Sequence, residues 1–243
     1  MKKLCKRNRN KHVCWQDLLR QIRFLRKPLT RLNSLLLAVY FLTPSICVSE
    51  ISILVLGDSL TQGYGLTQKE GFVPQLRNWL LEQGYEVNII NGGVSGDTSA
   101  GGLERVAWAL QENVDILMVA LGGNDLLRGI DPTSTRANLD QILAIGAEKG
   151  VSLVLVGMTA PNNFGIDYKD EFDSIFPELT QKYNVTLVDR FMAPLLEKLD
   201  AGERLDPYLQ QDMLHPNAQG VELIVDHVGP ILKTVVRKIA KDS

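Results

Sequence analysis

Residues 51–60 read Ile51-Ser52-Ile53-Leu54-Val55-Leu56-Gly57-Asp58-Ser59-Leu60. Apart from Ser52, the six residues before Gly57 are apolar and carry branched side chains, the composition of a strand buried on both faces of a parallel sheet. Gly57 stops the run and permits a sharp turn. Such a turn lifts the hydroxyl of Ser59 clear of the sheet, where it is a candidate nucleophile.

Short apolar runs recur downstream, at 86–90, 116–121, 151–157 and 185–188, and each is read as a strand. Amphipathic segments separate them. Residues 72–83 place Val73, Leu76 and Leu80 on one face and stop before Gly84, where a left-handed cap is cheap. Residues 99–112 repeat the pattern with Leu103, Val106, Ala107 and Leu110, and 133–149 form a third helix ending before Gly150. A fourth helix is predicted over 168–182 with a kink at Pro177, and a last one over 216–241, bent or broken at Gly229-Pro230. Alternating strands and helices predict an α/β fold: a three-layer α/β/α sandwich around a five-stranded parallel sheet, joined by right-handed crossovers. Ligands of such folds sit beyond the carboxyl ends of the strands.

The distinctive residues gather at those ends. Ser59 follows the first strand; Asn91-Gly92-Gly93-Val94-Ser95-Gly96-Asp97-Thr98 follows the second; Gly122-Gly123-Asn124-Asp125 follows the third. Near the C-terminus comes Asp212-Met213-Leu214-His215-Pro216.

Charge separates a leader from a body. Residues 1–49 hold 11 Lys or Arg and one acid, whereas the rest hold 15 bases and 27 acids, a net of −12. The leader, 1–49, reads as an export signal: a long basic region, an apolar stretch over 35–48 that Pro44 interrupts, then the small residues Cys47 and Ser49, with cleavage expected after Ser49. An uncleaved anchor, a start placed too far upstream and nucleic-acid binding by the leader are the other readings of this segment. No lipid attachment at Cys47 is expected. Residues 50–243 form one domain, and an exported chain, periplasmic or secreted, is expected. Its acidity argues against nucleic acid and against stable adsorption to an anionic membrane.

All three cysteines, Cys5, Cys14 and Cys47, lie in the leader, so the body has no disulfide and no thiol nucleophile. Of three histidines only His215 and His227 belong to the body. A serine hydroxyl needs a base to take its proton, and imidazole, with an ordinary pKa of about 6.5, suits neutral conditions. Asp212 lies three residues before His215, close enough in a tight loop to orient one ring nitrogen and leave the other facing Ser59. Pro216 holds His215 extended and suits the first turn of the following helix. His227, mid-helix beside Asp226, reads as a solvated or core-edge histidine. Acyl transfer also develops an oxyanion, and each donor aimed at it lowers the barrier by roughly 3 kcal/mol. Gly96 lets a backbone approach a ligand, and Asn124 offers a neutral amide on a Gly-flanked turn. Taken singly, Gly96 is an ordinary turn residue and Asn124 an ordinary helix cap or left-handed residue.

The four blocks, in their order and spacing, resemble the GDSL esterases, also called SGNH hydrolases, from about Ile51 to the end of the chain. The runs Gly-Asp-Ser-Leu (57–60), Ser-Gly-Asp-Thr-Ser (95–99) and Leu-Gly-Gly-Asn-Asp (121–125) are most similar to the bacterial exported thioesterase and lysophospholipase (arylesterase) branch. That resemblance implies a flavodoxin-like SGNH hydrolase fold and a Ser59–His215–Asp212 triad. It also implies an oxyanion hole built from the backbone N–H groups of Ser59 and Gly96 and the side-chain amide of Asn124, and hydrolysis of acyl esters or thioesters through an acyl-enzyme. The loop 158–165 resembles the one lining the acyl site of that branch, which makes Pro161 and Phe164 candidate substrate contacts, with a rigid surface turn as the alternative. Carbohydrate O-acetyl esters are the second substrate class to consider, and an inactive binding module is a third reading that the retained site residues disfavour.

Asp58, Asp97 and Asp125 invite a hard cation. No calcium-loop spacing is present, and they are read as capping helices or bonding loop N–H groups. Asp212 with His215 supplies only two of the ligands zinc requires, and Gly63-Tyr64-Gly65 lacks the later glycine and the lysine of a phosphate loop. No metal and no cofactor is expected. The predicted partner is a small-molecule acyl ester or thioester, met by a monomer.

Overall fold

The computed structural model describes residues 50–242; the leader assigned to 1–49 lies outside them. Five parallel strands form one sheet in the order β2-β1-β3-β4-β5: β1 (Ile51–Gly57), β2 (Val87–Gly93), β3 (Ile116–Ala120), β4 (Ser152–Val156) and β5 (Thr186–Val188). The helices are α1 (Ser59–Gln62), α2 (Phe72–Glu82), α3 (Ser99–Ala109), α4 (Gly123–Leu127), α5 (Pro132–Glu148), α6 (Ile166–Tyr183), α7 (Ala193–Asp200) and α8 (Ala218–Asp242). The three-layer α/β/α sandwich is as the sequence predicts.

Because side chains alternate along a strand, each central strand feeds two cores. Ile53, Val55, Ile116, Met118, Val154 and Val156 point to one layer, where Leu76 and Leu80 of α2 and Val225, Val228 and Leu232 of α8 cover them. Leu54, Leu56, Leu117, Val119 and Leu155 point to the other, against Leu139, Ile142 and Leu143 of α5 and Phe172 and Phe176 of α6. Each such side chain, fully buried, stabilises the fold by roughly 1.5–3 kcal/mol before entropy is counted. This double burial is why β1 reads as a continuous apolar run.

Register places the functional ends together. Gly57 of β1 lies beside Gly93 of β2 and Ala120 of β3, so all three strands stop at one level. The chain leaves β1 toward β2 on one side and later returns to β3 on the other, so the strand order reverses between β1 and β3.

Several elements depart from the predicted boundaries. β2 runs on through Gly93, so Asn91 and the two glycines belong to the strand, and α3 stops at Ala109. α6 passes through Pro177 without interruption. α8 is likewise continuous through Gly229-Pro230. A side chain at Gly229 would stand 2.7 Å from the indole of Trp79, so this glycine serves close packing of α8 on α2, and that packing outweighs the backbone bond lost at Pro230. Pro216 does not begin α8: it bridges to Leu209, and the Asn217 side chain accepts from the N–H groups of Gln219 and Gly220 as the cap. The helices α1, α4 and α7 were not predicted; the first two are a turn long, below what hydrophobic periodicity can register. Among the described residues, no helix is long and apolar enough to cross a membrane.

Candidate active site

Ser59 is the first residue of α1, and Asp58 caps that helix by accepting the N–H of Leu60 at 3.0 Å. At this position the Ser59 N–H has no intrahelical acceptor. The turn is tight: a Cβ on Gly57 would overlap the Thr61 hydroxyl at 2.0 Å, so the strand-to-helix step requires glycine there. Ser59 itself is 9% exposed.

His215 meets it from the far end of the chain. Its Nε2 lies 2.9 Å from Ser59 Oγ and its Nδ1 lies 2.6 Å from Asp212 Oδ2. The other oxygen of Asp212 accepts the backbone N–H groups of Leu214 and His215, both at 3.0 Å. The His215 N–H, then the ring, then the Leu214 N–H favour the ionised form and hold the Asp212 carboxyl at about 2. An ionised Asp212 can only accept, which places the imidazole proton on Nδ1 and leaves Nε2 to accept from the Ser59 hydroxyl. A backbone pairing closes the loop: Gln210 N–H donates to the His215 carbonyl at 2.8 Å, and Leu209 bridges to Pro216. Met213, at φ 54°, takes a left-handed conformation at its tip.

The two other donor positions face the same cleft. Asn124 is the second residue of α4, and its amide donates to Asp58 Oδ2 at 3.2 Å. Burial pushes the Asp58 carboxyl up, against the opposing pull of Leu60 N–H, Asn124 and the charge of His215. Gly96 has φ 80° and lies between Val94 and Asp97, whose O and N–H are bonded at 3.0 Å, the pattern of a type II turn with glycine third. The middle peptide of such a turn, the one carrying the Gly96 N–H, bonds to nothing within the turn. Arg105 backs this wall: it pairs with Asp97 at 2.7 Å and donates to the carbonyls of Gly92 and Gly57 at 2.7 and 2.8 Å.

Ser59, Gly96, Asn124, Asp212 and His215 all line one cleft of about 560 Å³. Its walls are apolar: Leu126 and Leu127 at α4, Met158 after β4, and Met192, Leu195 and Leu196 at α7. Pro161 and Phe164 are not among the residues that line this cleft. Phe164 turns instead onto Tyr168, ring centroids 5.0 Å apart, and over Gly129. Part of the cleft wall comes from α7, which no motif announced. His227 stays out of the site, with a buried Nε2 that has no hydrogen-bond partner among the described residues. The three aspartates considered for a cation are engaged by protein donors: Asp58 as above, Asp97 by Arg105, and Asp125 by the Ser99 N–H and the hydroxyls of Ser99 and Thr135.

Tyr64 and Gln210 also escaped the sequence reading. The Tyr64 ring packs on the His215 imidazole, centroids 4.7 Å apart, and Gln210 donates to the Tyr64 carbonyl at 2.8 Å, tying the loop of His215 to the turn after α1. Neither residue sits in a recognisable motif, so only the fold brings them to the site.

Residues 55–223 match the model of the GDSL-like Lipase/Acylhydrolase family. An arylesterase of Vibrio mimicus is 32% identical over 193 residues, covering 79% of this chain and 93% of that protein. Thioesterase 1/protease 1/lysophospholipase L1 of Escherichia coli K12 is 32% identical over 186 residues, covering 76% of this chain and 85% of its own. Among solved structures, the psychrotrophic esterase EstA from Pseudoalteromonas sp. is similar at a TM-score of 0.69 with 31% identity, covering 77% of this chain and 100% of that one. A serine, an imidazole and a carboxylate in line at one rim, on this fold and with these relatives, identify the chain as a member of the GDSL-like lipase/acylhydrolase family.

Proposed function

We propose that this chain is a serine hydrolase of acyl esters and thioesters, of the arylesterase, thioesterase and lysophospholipase type, in which Ser59 is the nucleophile, His215 the base and Asp212 the carboxylate that orients it. The observation that carries this is the unbroken hydrogen-bonded line from Asp212 through both nitrogens of His215 to Ser59 Oγ, with steps of 2.6 and 2.9 Å. His215 Nε2 takes the hydroxyl proton as Oγ attacks the acyl carbon. The resulting oxyanion is held by the N–H groups of Ser59 and Gly96 and by the Asn124 amide. Collapse expels the alcohol or thiol, which takes the proton back from His215, and leaves an acyl-Ser59 ester. Water, activated by the same imidazole, then releases the acid and restores the serine.

The apolar residues along the cleft favour an acyl chain over a sugar. Export of the body after loss of 1–49 fits the charge pattern of the leader. The test is a panel of p-nitrophenyl esters and acyl thioesters from acetyl to long chains. Wild type should prefer chains longer than acetyl, and Ser59→Ala should abolish turnover with an unchanged melting temperature. A folded Ser59→Ala that keeps near-normal rates would end the proposal, and a confinement to acetyl esters would end its acyl-chain part.

A further inference from the structure

We infer that Arg128, a residue outside the triad and the oxyanion donors, is a positioning residue that sets the spacing between two of those donors; the inference rests on the serine-hydrolase reading above. Arg128 ends α4, one turn after Asn124, and its backbone N–H donates to the Asn124 carbonyl at 3.2 Å. From there its exposed guanidinium crosses the rim, and Nη2 donates to the carbonyl of Gly96 at 2.7 Å. Arg128 thus bonds to Asn124 with its backbone and to Gly96 with its side chain. It joins the loop after β2 to the helix after β3.

The need for such a tie follows from the turn. Gly96, with φ 80°, has no Cβ to restrict it, and the peptide that carries its N–H bonds to nothing within the turn. Left alone, that peptide is free to rotate its N–H away from a developing oxyanion. The following peptide is gripped at both ends, its N–H by the Val94 carbonyl at 3.0 Å and its C=O by Arg128. Arg128 therefore fixes the carbonyl side of Gly96 and, with it, the place on the rim from which that residue presents its N–H. Arg105 cannot substitute, since it holds Asp97 and the strand ends from the protein side and never touches α4 through these bonds. Because Arg128 does not line the cleft, a substrate contact is not its geometry.

The test compares wild type, Arg128→Ala, Arg128→Lys and Ser59→Ala on a p-nitrophenyl ester, with inhibition by an alkylboronic acid as the tetrahedral mimic. Arg128→Ala should lower kcat about tenfold, less than the roughly hundredfold or greater loss on removing a donor outright. KM and melting temperature should hold, while boronic acid binding weakens in step with kcat/KM. Arg128→Lys, which keeps a donor of shorter reach, should recover part of the loss. An unchanged kcat, a rise in KM alone, or a fall in rate with no loss of boronic acid affinity would overturn the inference. An active wild type beside a dead Ser59→Ala keeps the hydrolase reading intact in any of those cases, whereas an active Ser59→Ala would strike that reading instead.

Discussion

Ser59 reaches the cleft from β1, whose seven residues are all buried and which pairs with a strand on each side. His215 reaches it from a loop in which Asp212, Met213 and Leu214 are exposed and backbone pairing and the Asp212 carboxylate do the holding. One partner is positioned by hydrophobic burial, which is non-directional but large in sum; the other by a few hydrogen bonds, directional and individually modest. A substitution within β1 should therefore cost stability, whereas one in the loop of His215 should cost rate.

The sharpest way to break that contrast is at Asp212. Asp212→Asn can no longer fix the proton on Nδ1, and we expect kcat to fall by roughly 10³–10⁴-fold, the scale of triad carboxylate loss, with the melting temperature near that of wild type. Steady-state kinetics beside a thermal melt check it; a large loss of stability would show that the loop is a structural keystone after all. The opposite change is Leu56→Ala, four chain positions before residue 60 and fully buried. It should cost about 2–5 kcal/mol in chemical denaturation, while the folded fraction keeps most of its turnover per molecule.

Acid titration sharpens the comparison without mutation. The folded value of Asp212 lies at about 2, below the ordinary 3.8, so its contribution to stability is present above 3.8 and is lost as pH falls toward 2. Asp58 has the opposite sign: burial raises it, so its protonated form is favoured by folding, and the stability it contributes in acid is lost as pH rises through its folded value. The amide proton shifts of Leu214 and His215 should move with a midpoint near 2, and that of Leu60 with one above 3.8, because these amides bond to the two carboxylates. Coincident midpoints would erase the distinction between the two regions.

Legibility in the sequence followed the same divide. β1 announced itself because a strand buried on both faces must be apolar throughout, and Ser59, Asp212 and His215 stood in short runs whose side-chain chemistry belongs together. Gly96 and Asn124, ordinary turn and cap residues taken singly, were singled out by the resemblance to the GDSL esterases. α7 carried no such mark, although Met192, Leu195 and Leu196 supply a cleft wall. Apolar residues over an active site look like apolar residues over a core. Pro161 and Phe164 sit in the loop after β4, at a strand end where the sequence reading places substrate contacts, and there the ring of Phe164 packs on Tyr168 and over Gly129. Likewise Gly229-Pro230 has the composition of a helix break, and contact with Trp79 keeps α8 whole.

By itself the sequence determined the parallel α/β sandwich, the strand ends that carry chemistry, and the pairing of a hydroxyl with one imidazole and one carboxylate, because periodicity and side-chain chemistry are local properties. Only the tertiary structure decided which groups hold those residues in place: Arg105 across two strand ends, Arg128 across the rim, Tyr64 and Gln210 against the loop of His215, and α7 along the cleft. Those partners are separated along the chain and meet through packing, and a contact formed by packing leaves no pattern in the order of the residues that make it.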